Sequence, residues 1–262
     1  MRRISIALAG LVLVIAAVAT ATPAINSAVV ITRVFNDCPG STLSFVNNYP
    51  ALISIDDQNV GCIGYANLHV WRFSTDGTTP AAFANGDAFK FSADLLLSGT
   101  GECEAGLQLS PWWSLLVDGR FNVRTTDGEI ACFGGRLPFY SFTGAPHLLH
   151  YVKGSPIHLE IIYLPNGLSV GSPATIEYKL VYGGNPYTSG PLAFDEGNPA
   201  EDPPHGVWGM LSPAQAGGFV QFFVAQSGPQ GAVHAEWANI GFEPLTIAVE
   251  PATWSTVKGM FR

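Results

Sequence analysis

Glu102 and Glu104 stand two positions apart, and Glu129 opens a second short stretch of similar pattern. Two carboxyls about 5 to 5.5 Å apart, one of them protonated, are what a retaining glycosidase requires, and neighbours i and i+2 on a strand can meet that spacing. The plainer use of the same residues is a solvated acidic face that keeps a protein soluble. Either use depends on the strands. Across residues 101–110, Cys103, Ala105, Leu107 and Leu109 form an apolar file, whereas Glu102, Glu104, Gln108 and Ser110 form a polar one. That alternation is the mark of a half-buried strand. Residues 129–133 read the same way, with Ile130 and Cys132 on one face and Glu129 on the other. If Cys103 and Cys132 bridge neighbouring strands, Glu102, Glu104 and Glu129 share the opposite face.

Other side chains could bind rather than react. Trp112 and Trp113 follow Pro111 at a strand end and point in opposite directions, so one is expected in the core and the other as a flat platform for a sugar ring. Gln108 and Arg124 join them as ligand-binding candidates. His158 and Glu160 alternate with Ile157, Leu159 and Ile161, which places both on an outward face; His234 and Glu236 do the same around Ala235. No HExxH spacing makes these histidines metal ligands, and no GxSxG context activates a serine. Asp195, Glu196 and Asp202 offer hard oxygen ligands suited to calcium, without the regular spacing of an EF-hand. No other cofactor is expected.

The first 21 residues have the layout of a secretory signal peptide: Arg2 and Arg3, an apolar run from 4 to 19 broken only by Ser5 and Gly10, then small residues. The mature protein is therefore expected to be secreted or held at the cell surface. No later segment is apolar enough to span a bilayer. Losing Arg2 and Arg3 takes the formal net charge from −8 to −10, which argues against nucleic acid as a partner. The four cysteines fit disulfides better than a metal site in an exported chain. Three pairings are open, and locality favours Cys38 with Cys62 and Cys103 with Cys132.

With 29 glycines, 19 prolines and 12% charged residues, the chain suits short strands and turns. Strands are expected at 28–35, 67–74, 88–98, 102–110, 120–125, 129–136, 157–164, 174–182, 219–226 and 233–242. An irregular stretch is expected after the first strand, and a long loop over 183–206, where prolines and acids cluster. The expected fold class is all-β, a two-sheet antiparallel sandwich spanning 22–244, with residues 245–262 as a tail that could carry a sorting signal.

The segments Phe89-Lys-Phe-Ser-Ala-Asp-Leu95, Glu104-Ala-Gly-Leu-Gln108 and Val233-His-Ala-Glu-Trp-Ala-Asn-Ile-Gly-Phe242 together resemble the concanavalin A-like lectin/glucanase superfamily, over roughly residues 70–242. The resemblance implies a jelly-roll sandwich with one concave sheet, on which glycans commonly bind. Laminarinase-like members carry Glu, Asp and Glu at alternating positions of one strand. Here Glu102 and Glu104 fill two such places, but Gly106 and Gln108 follow. The lyase members use Gln-Ile-His and Arg/Tyr-rich strands, and no comparable set is evident. The leading expectation is a secreted, non-catalytic sandwich that binds a glycan or other extracellular polymer. The alternatives are a glycoside hydrolase or related carbohydrate-active enzyme using Glu102 and Glu104, and a structural envelope or adhesion protein.

Overall fold

A computed structural model describes residues 22–111, 114, 118–196 and 208–246. Trp112, Trp113 and Asp202, with the expected signal peptide and the tail from 247 onward, lie outside these residues. Seven strands form the first sheet. They are β1 (Ser27–Asn36), β4 (Asn67–Ser74), β6 (Cys103–Pro111), β7 (Gly119–Arg124), β8 (Ile130–Phe133), β9 (Tyr140–Ser141) and β13 (Ala214–Phe222), in the order β1-β4-β13-β6-β7-β8-β9. The second sheet contains β2 (Thr42–Asn48), β3 (Leu52–Gln58), β5 (Phe89–Ser98), β10 (Ile157–Leu164), β11 (Thr175–Tyr182), β12 (Asn185–Ala193) and β14 (Ala232–Pro244), ordered β12-β11-β10-β5-β14-β3-β2. All pairings are antiparallel. The fold is the all-β jelly-roll sandwich that the concanavalin A-like resemblance implied.

The core lies between the sheets. Phe89, Phe91, Ala93, Leu95 and Leu97 of β5 point into it, as do Ile157, Leu159, Ile161 and Tyr163 of β10, while the residues between them are partly exposed. Trp237 of β14 meets Trp71 of β4 edge to face at 6.2 Å and donates its Nε1–H to the Gly106 carbonyl at 3.1 Å, joining the two layers.

Four strands escape the sequence pattern, and a fifth is displaced. β2 is an exposed edge strand, and on β3 the inward file Ile53-Ile55 ends in a buried Asp57, so neither reads as a clean alternation. β9 has only two residues. β12 occupies part of the expected 183–206 loop; it contains Pro186 and Pro191, which an edge strand tolerates because one side of it makes no ladder hydrogen bonds. β13 covers Ala214–Phe222 rather than 219–226, with Gly217-Gly218 concealing its first half and a 3-10 turn following at Val224–Gln226.

Cys38 and Cys62 form the expected disulfide. Cys103 and Cys132 do not, because β7 lies between their strands. Cys132 is opposite Phe121, and Phe121 is opposite Leu107, four residues along β6 from Cys103. The cysteines are therefore about 10 Å apart across the sheet and about 13 Å along it, beyond disulfide reach. Burial pushes the Cys103 thiol up to about 12 and the Cys132 thiol well above its ordinary value, so both are inert in the folded state. Thiol titration is expected to detect no reactive thiol in the native protein and two after denaturation; none after denaturation would restore the second bridge. Cys38→Ser, which opens a link between residues 24 apart, should destabilise by about 3 kcal/mol.

Candidate functional site

The outward side chains of the first sheet fall into rows set by strand register. Arg72 of β4, Gly217 of β13, Gln108 of β6 and Arg120 of β7 lie opposite one another in turn. The next row carries Val70, Phe219, Gly106 and Asn122, and the third carries Leu68, Gln221, Glu104 and Arg124. Gly106 and Gly217 are there for steric reasons. A Cβ on Gly106 would collide with the Phe121 carbonyl, and one on Gly217 with the Trp71 carbonyl. This explains why position 106 does not continue the acidic alternation.

Arg120 is the hub of the face. Its guanidinium lies 4.5 Å from the centre of the Phe219 ring, pairs through Nη1 with Glu104 Oε1, and donates from Nε to Asp118 Oδ2 at 2.8 Å and from Nη2 to Gln221 Oε1 at 3.0 Å. Gln108 donates to the same Asp118 oxygen at 2.5 Å. Burial pushes the Glu104 carboxyl above its ordinary value, with Arg120 and Arg124 offsetting part of the rise. Arg72 is fully buried, and its guanidinium is lowered to about 10 by burial, opposed by Asp118.

The hydrogen bonding around this hub is incomplete. Among the described residues Arg72 donates only from Nη1, to the Trp71 carbonyl at 3.3 Å, and its Nε and Nη2 have no partner. Gln108 Oε1, Ser110 Oγ and both amide atoms of Asn122 are also buried without a hydrogen bond to the described residues. Asn122 lies near enough to Glu104 to favour its charge but outside hydrogen-bond geometry. Each such group sacrifices about 1–3 kcal/mol of desolvation. Exposure is graded along the face. Arg72, Gln108 and Asn122 have none, the side chains of Glu104, Asp118 and Arg120 keep 9–11%, and those of Arg124 and Glu129 keep 29% and 31%.

The expected residues divide between two faces. Glu104 and Glu129 do share one side through Arg124, whose Nη1 is 3.1 Å from Glu129 Oε2 and whose Nη2 is 2.6 Å from Asp127 Oδ2. Glu102 lies just before β6, where Thr125 and Lys153 hold its carboxylate, the latter at 2.9 Å. His158 and Glu160 are on the outer face of the second sheet, across the sandwich from Glu104. Asp195 accepts a hydrogen bond from Arg136 at 2.8 Å, a cation already seated where calcium was expected. Among the described residues no cluster of three metal-ligating groups occurs.

Sequence reasoning overlooked Arg72, Asp118, Arg120 and Asn122. The available signal was a single arginine in the strand Asn67–Ser74, in opposite parity to Trp71 and Phe73, and a single asparagine between Phe121 and Val123.

No protein-family model matches the chain, and no curated protein matches it. Solved structures of similar fold include the alginate lyase of Klebsiella pneumoniae, at a TM-score of 0.47 and 9% identity over 77% of this chain and 84% of that one. A family 7 alginate lyase, A1-II′, in complex with substrate gives a TM-score of 0.44 and 10% identity over 79% and 83%. The marine PL-14 alginate lyase of Aplysia kurodai gives 0.42 and 10% over 78% and 87%. Each of these neighbours is named as an alginate lyase, where a non-catalytic glycan-binding module was expected.

Proposed function

We propose that the chain is a carbohydrate-active enzyme that cleaves an acidic polysaccharide on the outer face of the first sheet. The observation that carries this reading is the buried Arg72, whose Nε and Nη2 have no partner among the described residues, with Gln108 Oε1 in its row and both amide atoms of Asn122 in the next row also unpaired. A guanidinium presents two parallel donors, which a sugar carboxylate matches in a bidentate pair once the groups that close Arg72 off from solvent give way to it. Asn122 and Gln108 supply the neighbouring donor and acceptor. Gly217 leaves the way from Arg72 to Gln108 free of a side chain and Gly106 does the same from Gln108 to Glu104, while Phe219 stands directly between Arg72 and Glu104.

Neutralising a uronate carboxylate acidifies the proton on the adjacent carbon. Glu104, a stronger base than an ordinary carboxylate because burial raises its pKa, removes that proton. The electron pair left behind forms a carbon–carbon double bond as the bond to the glycosidic oxygen breaks, and the departing oxygen takes a proton from solvent. The Glu102 and Glu104 pair expected for a glycosidase is less suited, because Thr125 and Lys153 already hold Glu102.

The test is incubation with alginate, a second polyuronate and a neutral β-glucan, following ultraviolet absorbance of an unsaturated product. Cleavage of an acidic polymer is expected. Glu104→Gln should lower kcat by about 10²–10⁴ with the fold intact, and the acidic limb of the wild-type pH–rate profile should lie above the ordinary carboxylate range. Cleavage of the neutral polymer alone, or none of any acidic polymer, would overturn the reading.

A further inference from the structure

The second sheet has a polar construction on its outer face that the proposed reaction does not use. His158 Nδ1 is hydrogen-bonded to Asp94 Oδ1 at 2.7 Å, and Asp94 Oδ2 accepts from Asn239 Nδ2 at 2.8 Å. Asn239 comes from the irregularity in β14 between Ala238 and Gly241, where its backbone takes a φ of 50°. A bulge in a strand re-aims a side chain, and here it aims an amide at Asp94. The imidazole is thereby fixed through one nitrogen, while Nε2 has no partner among the described residues.

His158 stands between two hollows, of about 560 and 640 Å³, and lines both together with Val181, its direct partner across β10 and β11. The first hollow has apolar walls from Val181, Pro186 and Tyr187, with Glu160, Lys179 and Thr188 among them. Glu160 and Lys179 are also directly opposed, and their charged atoms are 4.0 Å apart, too far for a tight pair. Both therefore keep bonding capacity for a ligand. Asp94 and the Tyr182-Gly183-Gly184 turn line the second hollow.

We propose that this double hollow is a second carbohydrate site, which takes the pyranose rings of a neutral glycan. A pyranose has an apolar C–H face and a rim of hydroxyls that both donate and accept. Val181, Pro186 and Tyr187 offer the apolar surface; Lys179 donates, Glu160 accepts, and His158 Nε2 completes the rim, while the Thr188 hydroxyl is already held by Glu177 and Gly190. Asp94 and Glu160 outnumber Lys179 and repel a polyanion, so the ligand class differs from that of Arg72. The site does not depend on the reaction proposed for the first sheet. On the opposite side of the sandwich from Glu104, it tethers the protein to a neutral matrix while leaving the other face free.

The experiment is calorimetric titration of the mature protein with cellohexaose, laminarihexaose and mannohexaose, repeated on Val181→Asp, His158→Ala and Arg72→Met. Binding of at least one hexasaccharide is expected, weakened tenfold or more by Val181→Asp and His158→Ala and unchanged by Arg72→Met. Val181 is exposed, so its replacement leaves the core intact. No binding of any of the three, or binding that both second-sheet variants leave intact, would overturn the proposal. Loss of binding in Arg72→Met alone would move the neutral glycan to the first sheet and also overturn it. An alginate oligosaccharide whose binding falls in the second-sheet variants would refute the neutral ligand class, while the cleavage assay reports separately on Glu104.

Discussion

Replacing Arg72 with methionine is expected to leave the unfolding free energy unchanged or to raise it by up to about 4 kcal/mol, since among the described residues Arg72 makes no ion pair whose loss would strand a buried charge. The same change should lower turnover of the acidic polysaccharide by about a hundredfold or more, as removal of a preorganised donor does elsewhere. The two effects have one cause. Arg72 is fully withdrawn from water with two donor atoms unpaired, so the resting fold gains little from its charge. Asp118, the anion that opposes the desolvation of Arg72, keeps Arg120 and Gln108 as partners after the substitution. Arg72→Lys separates charge from shape: the cation remains, but the planar pair of donors is lost. Chemical denaturation and steady-state kinetics on both variants measure the two arms. A methionine variant that unfolds more readily and retains turnover would make Arg72 a structural residue.

How much of this was legible in the sequence depended on whether each strand has one face in the core and one in water. On β5 and β10 it does, and Phe91, Ala93 and Leu95 or Leu159 and Ile161 announce the inward file. β6 is buried on both faces, yet its polar file Glu104, Gln108 and Ser110 remained readable by parity. What parity could not give was burial, since a sequence does not reveal that an outward file is desolvated. Arg72 was lost for the same reason, hidden in a strand buried at every position. Strand order was equally silent. Cys103 and Cys132 are close in sequence, and only the insertion of β7 between their strands keeps them apart. His158 and Glu160 have the same outward parity as Glu104, but belong to the other sheet.

Asp57→Ala is expected to cost about 1–3 kcal/mol for each buried donor it leaves without its carboxylate, His69 Nε2–H and Asn67 Nδ2–H. Asp57 belongs to β3 of the second sheet and is 3% exposed; His69 and Asn67 belong to β4 of the first sheet and are fully buried. Asp57 Oδ2 accepts from Asn67 Nδ2 at 2.8 Å and lies 3.0 Å from His69 Nε2, so the three form a clasp between the layers. The tautomer follows from the other ring nitrogen. The backbone N–H of Arg33 points at His69 Nδ1 from 2.9 Å, which makes Nδ1 the acceptor and leaves Nε2–H to donate to the carboxylate. Burial pushes the Asp57 carboxyl up, but hydrogen bonds from His69, Asn67 and Ser41 outweigh it and leave it below the ordinary carboxylate value. A group whose pKa is depressed on folding stabilises the protein above its unfolded pKa, about 4. That contribution disappears as the pH falls below about 4 and through the folded value. The wild type should therefore lose stability in that window, whereas Asp57→Asn, which keeps an acceptor but cannot titrate, should show a flatter acid limb. Urea denaturation between neutral pH and pH 3 measures both slopes, and parallel curves for the two proteins would remove Asp57 as the source of the acid sensitivity.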